Sequence, residues 1–282
     1  MNLDLLSTAE VVSRLLDAER RVVPAAEAVR EHIAAAAELL ADRWRRGGRV
    51  IFAGAGTSGR IAVAEAAELP GTFGLDRSRV LARVAGGADS RDLDEDDLDL
   101  ARRDLAELSI AAADVIVTVA ASGSTPYTLD VATAARAAGA ALVAVVNVTD
   151  SPLAALADVA IEIDVGAEVL RGSTRLTAGT AQKIALNALT TAAMVRLGRV
   201  HDDLMIDVEP ANAKLRERAA GIVAEIAGCD PATAAAALTA CSGSARAAVV
   251  HLVLGLDPAA AQARAAAFSS LREALAAPVS EP

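Results

Sequence analysis

Two short turns carry the residue types from which phosphate sites are built. Gly54-Ala55-Gly56-Thr57-Ser58-Gly59 leaves an apolar run and enters a helical pattern, and Ala121-Ser122-Gly123-Ser124-Thr125-Pro126 repeats the arrangement further along. Glycines at such a junction let the backbone approach an oxyanion, while the first N–H groups of the helix favour negative charge. The first turn alone is ambiguous, because the same glycine spacing opens dinucleotide sites. Those sites want an acidic residue about 20 positions on, at the next strand end, to hold a ribose. Asp76 stands at roughly that distance but precedes the next strand-like run. With the second turn the reading narrows to a monophosphate. Backbone donors, the hydroxyls of Thr57, Ser58, Ser122, Ser124 and Thr125, and two helix dipoles can converge on one group without a cluster of cations. Taken singly, Ser122, Ser124 and Thr125 serve equally well as helix N-caps. Arg60 either helps neutralise the phosphate or pairs on the helix surface.

Other chemistry is thinly represented. His32, His201 and His251 fall in unrelated segments with neither triad nor metal spacing, and Cys229 and Cys241 read as free thiols rather than a zinc site or disulfide. The net charge of −10 leaves no basic footprint for nucleic acid or an anionic membrane, and 2% aromatic residues supply no stacking platform. No signal peptide or uninterrupted apolar span is legible, so a soluble, cytoplasmic chain is expected. Of the 27 basic residues only Lys183 and Lys214 are lysines, which singles out two positions where an ammonium is wanted.

The elements that must position these turns follow from the changing period. Ser7-Thr8-Ala9-Glu10 has capping-box spacing and opens a helical arm, whose second run, Ala25 to Arg46, closes at Gly47-Gly48. Strand-like runs then fall at Val50 to Ala53, Val80 to Val84, Asp114 to Ala120, Ala141 to Asn147 and Val159 to Ile163. Helical patterns at Ser58 to Glu68, Asp97 to Glu107 and Tyr127 to Ala138 alternate with them, and a long one runs from Ser173 to Gly198. That alternation predicts an α/β fold with a five-stranded parallel, doubly wound sheet. Turns at Asp230-Pro231, Ser242-Gly243 and Asp257-Pro258 break the remainder into a small helical bundle. The expected domains are an arm at 1–47, an α/β domain at 48–218 that carries both turns and a helical domain at 219–282.

Longer strings make the pattern specific. Gly47-Gly48-Arg49 through Arg60, Ala121-Ser122-Gly123-x-Thr125-Pro126-Tyr127, Gly166-Ala167-Glu168-Val169, Gly172-Ser173-Thr174-Arg175 and Ala178-Gly179-Thr180-Ala181-Gln182-Lys183 stand in order. Asn187, Asp203-Leu204-Met205-Ile206-Asp207-Val208 and Asn212-x-Lys214-Leu215 follow. This series resembles the N-acetylmuramic acid 6-phosphate etherases, within the sugar isomerase (SIS) fold, over nearly the whole chain, including a C-terminal segment similar to the family's UBA-like bundle.

The resemblance implies cleavage of the D-lactyl ether of N-acetylmuramic acid 6-phosphate to N-acetylglucosamine 6-phosphate and D-lactate, with no metal or cofactor, by a homodimer. A base removes the C2 proton of the opened sugar, an acid protonates the departing oxygen, and water then adds to the alkene. One carboxyl must be neutral and the other ionised. The family's first glutamate matches Glu68, in Glu65-Ala66-Ala67-Glu68-Leu69-Pro70-Gly71, as acid. Its second falls in a shortened stretch, where counting back from Asp114 puts Glu95 in register as base, among Asp89, Asp92, Asp94, Asp96 and Asp97. A solvated acidic face is the alternative there. Gly56, Thr57, Ser58, Arg60, Ser122, Ser124 and Thr125 would surround the phosphate. Glu168 and Lys183 would contact sugar hydroxyls or the carboxylate, the plainer readings being a helix cap and a solvated cation. Ser124 replaces a usual Arg, and Arg171 stands where Thr is common. Two other functions suit the same turns: a non-enzymatic sugar-phosphate sensor or regulator, and an aldose–ketose isomerase.

Overall fold

A computed structural model of the chain describes residues 2–87 and 92–278. They fall into two compact units, one comprising Met1–Ala66 and Ser78–Ala192, the other Ala67–Arg77 and Ala193–Pro282.

The first unit holds the sheet. β1 (Val50–Gly54), β2 (Val80–Val84), β3 (Val115–Val119), β4 (Ala141–Val146) and β5 (Val159–Glu162) lie in the order β2-β1-β3-β4-β5, and every pairing is parallel. All five match the expected runs to within a residue or two at each end. β1, β3 and β4 are buried along their full length, as strands covered on both faces must be. Ile51, Ala53, Ile116, Leu142, Ala144 and Val146 share one core with Tyr127, Val131 and Ala135 of α6 (Pro126–Ala137). The alternate residues Val50, Phe52, Val117 and Val143 are equally buried and point to the opposite face.

The N-terminal arm begins with α1 (Thr8–Glu19), where Ser7 and Glu10 form the expected capping box. The run expected from Ala25 to Arg46 is divided into α2 (Val22–Ala28) and α3 (Arg30–Arg45). The break is Val29, whose φ of −108° and ψ of 16° leave the helical region. α3 packs along β3, β4 and β5. Between the strands lie α4 (Gly56–Phe73), α5 (Leu98–Leu108), α6 and α7 (Pro152–Leu156), and α8 (Thr177–Arg196) follows β5. α4 runs past Pro70, beyond the expected end at Glu68, and Leu75 N still donates to the Pro70 carbonyl.

The second unit takes the last turns of α4 and five helices: α9 (Ala213–Ala227), α10 (Pro231–Ala240), α11 (Ala245–Leu254), α12 (Pro258–Ala267) and α13 (Leu271–Ala276). Asn212, Asp230, Ser244, Asp257 and Ser270 each cap the helix that follows through the side chain. The two Asp-Pro turns are thus helix starts, with Pro at the first position where its missing N–H costs nothing. Ile206, Ile222, Val223, Leu238, Val249 and Val250 form its core. Arg246 closes it, gripping Asp207 with Nε at 2.8 Å and Nη2 at 2.6 Å. Both cysteines are free thiols. Among the described residues no single helix is long and apolar enough to cross a membrane.

Candidate active site

Strand order alone marks one crevice. The connections after β1 and β3 leave in opposite directions, so these neighbours form the topological switch point at which open α/β sheets take ligands. Gly54 is level with Val119 in the register, which sets the Gly54–Gly59 and Ala120–Thr125 turns side by side at the carboxyl ends of their strands.

The first turn closes because two of its residues lack a Cβ. One added at Gly54 would lie 2.7 Å from the Val119 carbonyl oxygen, and one at Gly59 would meet Val84 Cγ2 at 2.6 Å and the Gly54 carbonyl carbon at 2.7 Å. α4 therefore starts hard against the end of β1, with Thr57 and Ser58 half-exposed in its first turn. In the second turn Ser124 donates from N (3.3 Å) and Oγ (3.1 Å) to Ser122 Oγ. Thr125 occupies the N-cap of α6, yet its side chain makes no capping bond, whereas Ser7, Asp97 and Ser151 all cap through theirs. Its hydroxyl is not consumed by the helix. Two helix N-termini and a set of neutral hydroxyls thus face one crevice whose two turns carry no charged side chain. Arg60 is exposed on the first turn of α4.

Further along α4 a carboxylate is deeply buried. Glu65 is 4% exposed; its Oε2 accepts from Lys183 Nζ at 2.6 Å and its Oε1 from Thr190 Oγ1 at 2.6 Å. α8 approaches closely there, since a Cβ at Gly179 would rest 3.5 Å from Ile61 Cδ1 and 3.8 Å from Thr57 Cγ2. The glycine that interrupts the helical pattern of α8 is the one facing the start of α4. Glu168 is bound into α8 itself, accepting from Thr177 N (3.1 Å), Thr177 Oγ1 (2.6 Å) and Ala178 N (3.0 Å). Deeper in, Gln182 Nε2 donates to Asn147 Oδ1 at 2.9 Å, and Asn147 Nδ2 to the Ile163 carbonyl at 3.1 Å.

The two proposed catalytic glutamates are placed separately. Glu68 is exposed on the part of α4 that belongs to the second unit, lining a cavity of about 300 Å³ with Met205, Val208, Leu215 and Arg218. Glu95 is exposed in a single 3₁₀ turn, Asp92–Asp96, which packs against α6. Asp89, its neighbour in the acidic run, lies outside the described residues. Tyr127, in the first turn of α6, donates from its hydroxyl to Asp104 Oδ2 at 2.6 Å. Burial, and then the Asp104 carboxylate, push that phenol well above its ordinary range.

Glu65, Thr190 and Asp104 were not singled out by spacing. One signal was present for the first: Lys183 is one of only two lysines, and an ammonium that is partly enclosed calls for a carboxylate partner.

Comparison with known proteins places this architecture. A profile of the SIS domain matches residues 16–147. An N-acetylmuramic acid 6-phosphate etherase of Symbiobacterium thermophilum is 44% identical over 257 residues, covering 90% of this chain and 85% of the relative. That of Rubrobacter xylanophilus is 44% identical over 277 residues, covering 97% and 92%. Among solved structures, a phosphoheptose isomerase of Francisella tularensis shares the fold at a TM-score of 0.53 and 17% identity, covering 68% of this chain and all of that one. The chain belongs to the N-acetylmuramic acid 6-phosphate etherase family.

Proposed function

We propose that this chain is a carbon–oxygen lyase that cleaves the D-lactyl ether of N-acetylmuramic acid 6-phosphate, an amino-sugar step in cell-wall recycling. The observation that carries the reading is the pair of neutral hydroxyl turns level across the β1–β3 switch point, a cradle for one phosphate. The names borne by relatives 42–46% identical support the sugar.

In the opened sugar the aldehyde acidifies C2–H. Glu95, ionised, takes that proton, the C2 electron pair forms a C2–C3 double bond, and the C3–O bond breaks. Glu68, protonated, supplies the proton that leaves on D-lactate. Water then adds, its hydroxide to C3 and its proton to Glu68, while Glu95 returns a proton to C2. Each glutamate ends as it began. Gly56, Thr57, Ser58, Ser122, Ser124 and Thr125 hold the phosphate, with Arg60 supplementing the helix dipoles. Glu168 acts by fixing the start of α8, and Lys183 by meeting the substrate.

The reading includes a homodimer in the cytoplasm. Leu5, Val12, Leu16 and Val23 are exposed apolar side chains of the N-terminal arm. Of these, Val12 and Leu16 stand four apart on one face of α1, the spacing of an apolar stripe that can pair with another helix. Leu16→Asp is expected to yield monomers by light scattering, and an unchanged mass would remove the arm from the interface.

Incubation of purified protein with N-acetylmuramic acid 6-phosphate should release D-lactate. No release despite tight hexosamine 6-phosphate binding would overturn the activity. Glu68→Gln and Glu95→Gln should each lower kcat by roughly 10²–10⁴. A Glu95 variant with intact turnover would assign the base to another residue.

A further inference from the structure

We infer that Glu65 is a positioning residue whose task is to set the Lys183 ammonium against the carboxylate of the substrate's lactyl group. The inference rests on the etherase reading above and adds the residue pair that recognises the group to be expelled.

Glu65 is 4% exposed, and both its oxygens are engaged, Oε2 by Lys183 Nζ and Oε1 by Thr190 Oγ1, each at 2.6 Å. Lys183 itself is not enclosed, its side chain keeping 35% exposure. The buried partner therefore serves as an anchor and the half-exposed one as the working end. A lysine stem has four rotatable bonds, so an unanchored ammonium would occupy many positions at an entropic cost to any ligand that fixes it. The Glu65 anchor, itself held by Thr190, removes that freedom beforehand.

Placement identifies the ligand. Gly179, one turn before Lys183, abuts Thr57 and Ile61, so α8 follows α4 away from the phosphate turn. From Thr57 to Glu65 is eight residues, about 12 Å along the helix axis. An ammonium held there is too far along α4 to share the phosphate cradle and falls at the opposite end of a sugar gripped by it. The anionic group at that end of N-acetylmuramic acid 6-phosphate is the lactyl carboxylate. Lysine, a compact point charge, suits a monodentate carboxylate oxygen; the chain otherwise carries 25 arginines and a single further lysine, Lys214.

The test compares two ligands that differ only in the lactyl group. The KM for D-lactate release from N-acetylmuramic acid 6-phosphate is set beside the calorimetric Kd of N-acetylglucosamine 6-phosphate. Lys183→Met should raise that KM at least about tenfold, the loss of one charge-assisted bond, and leave the Kd within about twofold. Glu65→Gln and Thr190→Val should shift KM in the same direction by less, and Lys183→Arg, which keeps the charge but not the compact ammonium, should restore only part of it. Thermal midpoints establish that each variant is folded. An equal loss for both ligands, or an unchanged KM, would overturn the inference by making the pair structural. If the unaltered protein released no D-lactate, the etherase reading would fail on its own. The pair would then be judged by direct calorimetry of the two sugar phosphates under the same criterion.

Discussion

Asp114 holds Arg49 by three bonds at once: Oδ1 accepts from the Arg49 main-chain N (2.9 Å) and Nε (3.1 Å), and Oδ2 from Nη2 (2.6 Å). One carboxylate thereby ties the residue before β1 to the residue before β3, the two strands that meet at the switch point. Burial opposes its charge, but Arg49 and the backbone N–H groups of Ala111 and Arg49 outweigh it and hold the carboxyl below the usual range. Its stabilising effect is thus complete above about pH 4, the unfolded value, and fades as pH falls through the lower folded value. Asp114→Ala should cost about 2–3 kcal/mol at neutral pH, less than a fully buried pair because Arg49 is partly exposed. Thermal melts of both proteins between neutrality and pH 3 should converge on the acid side.

Tyr127 is the only tyrosine, so its ionisation can be read without interference. Burial and then Asp104 raise its pKa in the fold. The neutral phenol stabilises the fold fully below the unfolded value near 10, and this is lost as pH rises toward the folded one. Tyrosinate absorbance should therefore appear only with unfolding, as followed by Trp44 fluorescence. Absorbance growing at the ordinary phenol pH in folded protein would contradict the buried pair. Tyr127→Phe should cost about 1–2 kcal/mol by stranding Asp104.

A Cβ at Gly59 has nowhere to go, since Gly54 backbone and Val84 close on it from two sides. Gly59→Ala should destabilise the fold by about 1–3 kcal/mol and weaken hexosamine 6-phosphate binding by forcing α4 off β1. Calorimetry against the unaltered protein checks both. Unchanged affinity would mean that the turn does not hold the phosphate.

Glu168 spends its carboxylate on Thr177 and Ala178. Glu168→Gln should lower stability by about 1 kcal/mol, as loss of a helix cap does, with KM affected through α8 alone. A KM rise without any change in melting temperature would instead make Glu168 a direct contact.

Parallel strands buried on both faces are short apolar runs, which is why β1, β3 and β4 could be read directly from the sequence; the half-buried edge strands β2 and β5 were legible from their apolar runs and the alternating helices. The two strand-to-helix turns at 54–59 and 120–125 were legible because glycine and hydroxyl residues break an apolar run where a helix starts. Local pattern is silent where geometry is set by distant partners. Glu65 and Lys183 are 118 residues apart, and no period along α4 says that one carboxylate faces α8. Asp230-Pro231 and Asp257-Pro258 carried the chemistry of a turn and of a helix start alike; the capping bonds make them starts.

The second unit contains Ala67–Arg77, a segment made early in the chain whose partners arrive late. Gly71 O receives its bond from Glu209 N, Arg77 pairs with Glu209, and Gly74 lies against Asp207. On a ribosome adding about 5–20 residues per second, the end of α4 waits for many seconds before those partners emerge. All five strands of the first unit are made before Asp207 and Glu209, so the sheet has its full complement of strands while the end of α4 still lacks its partners.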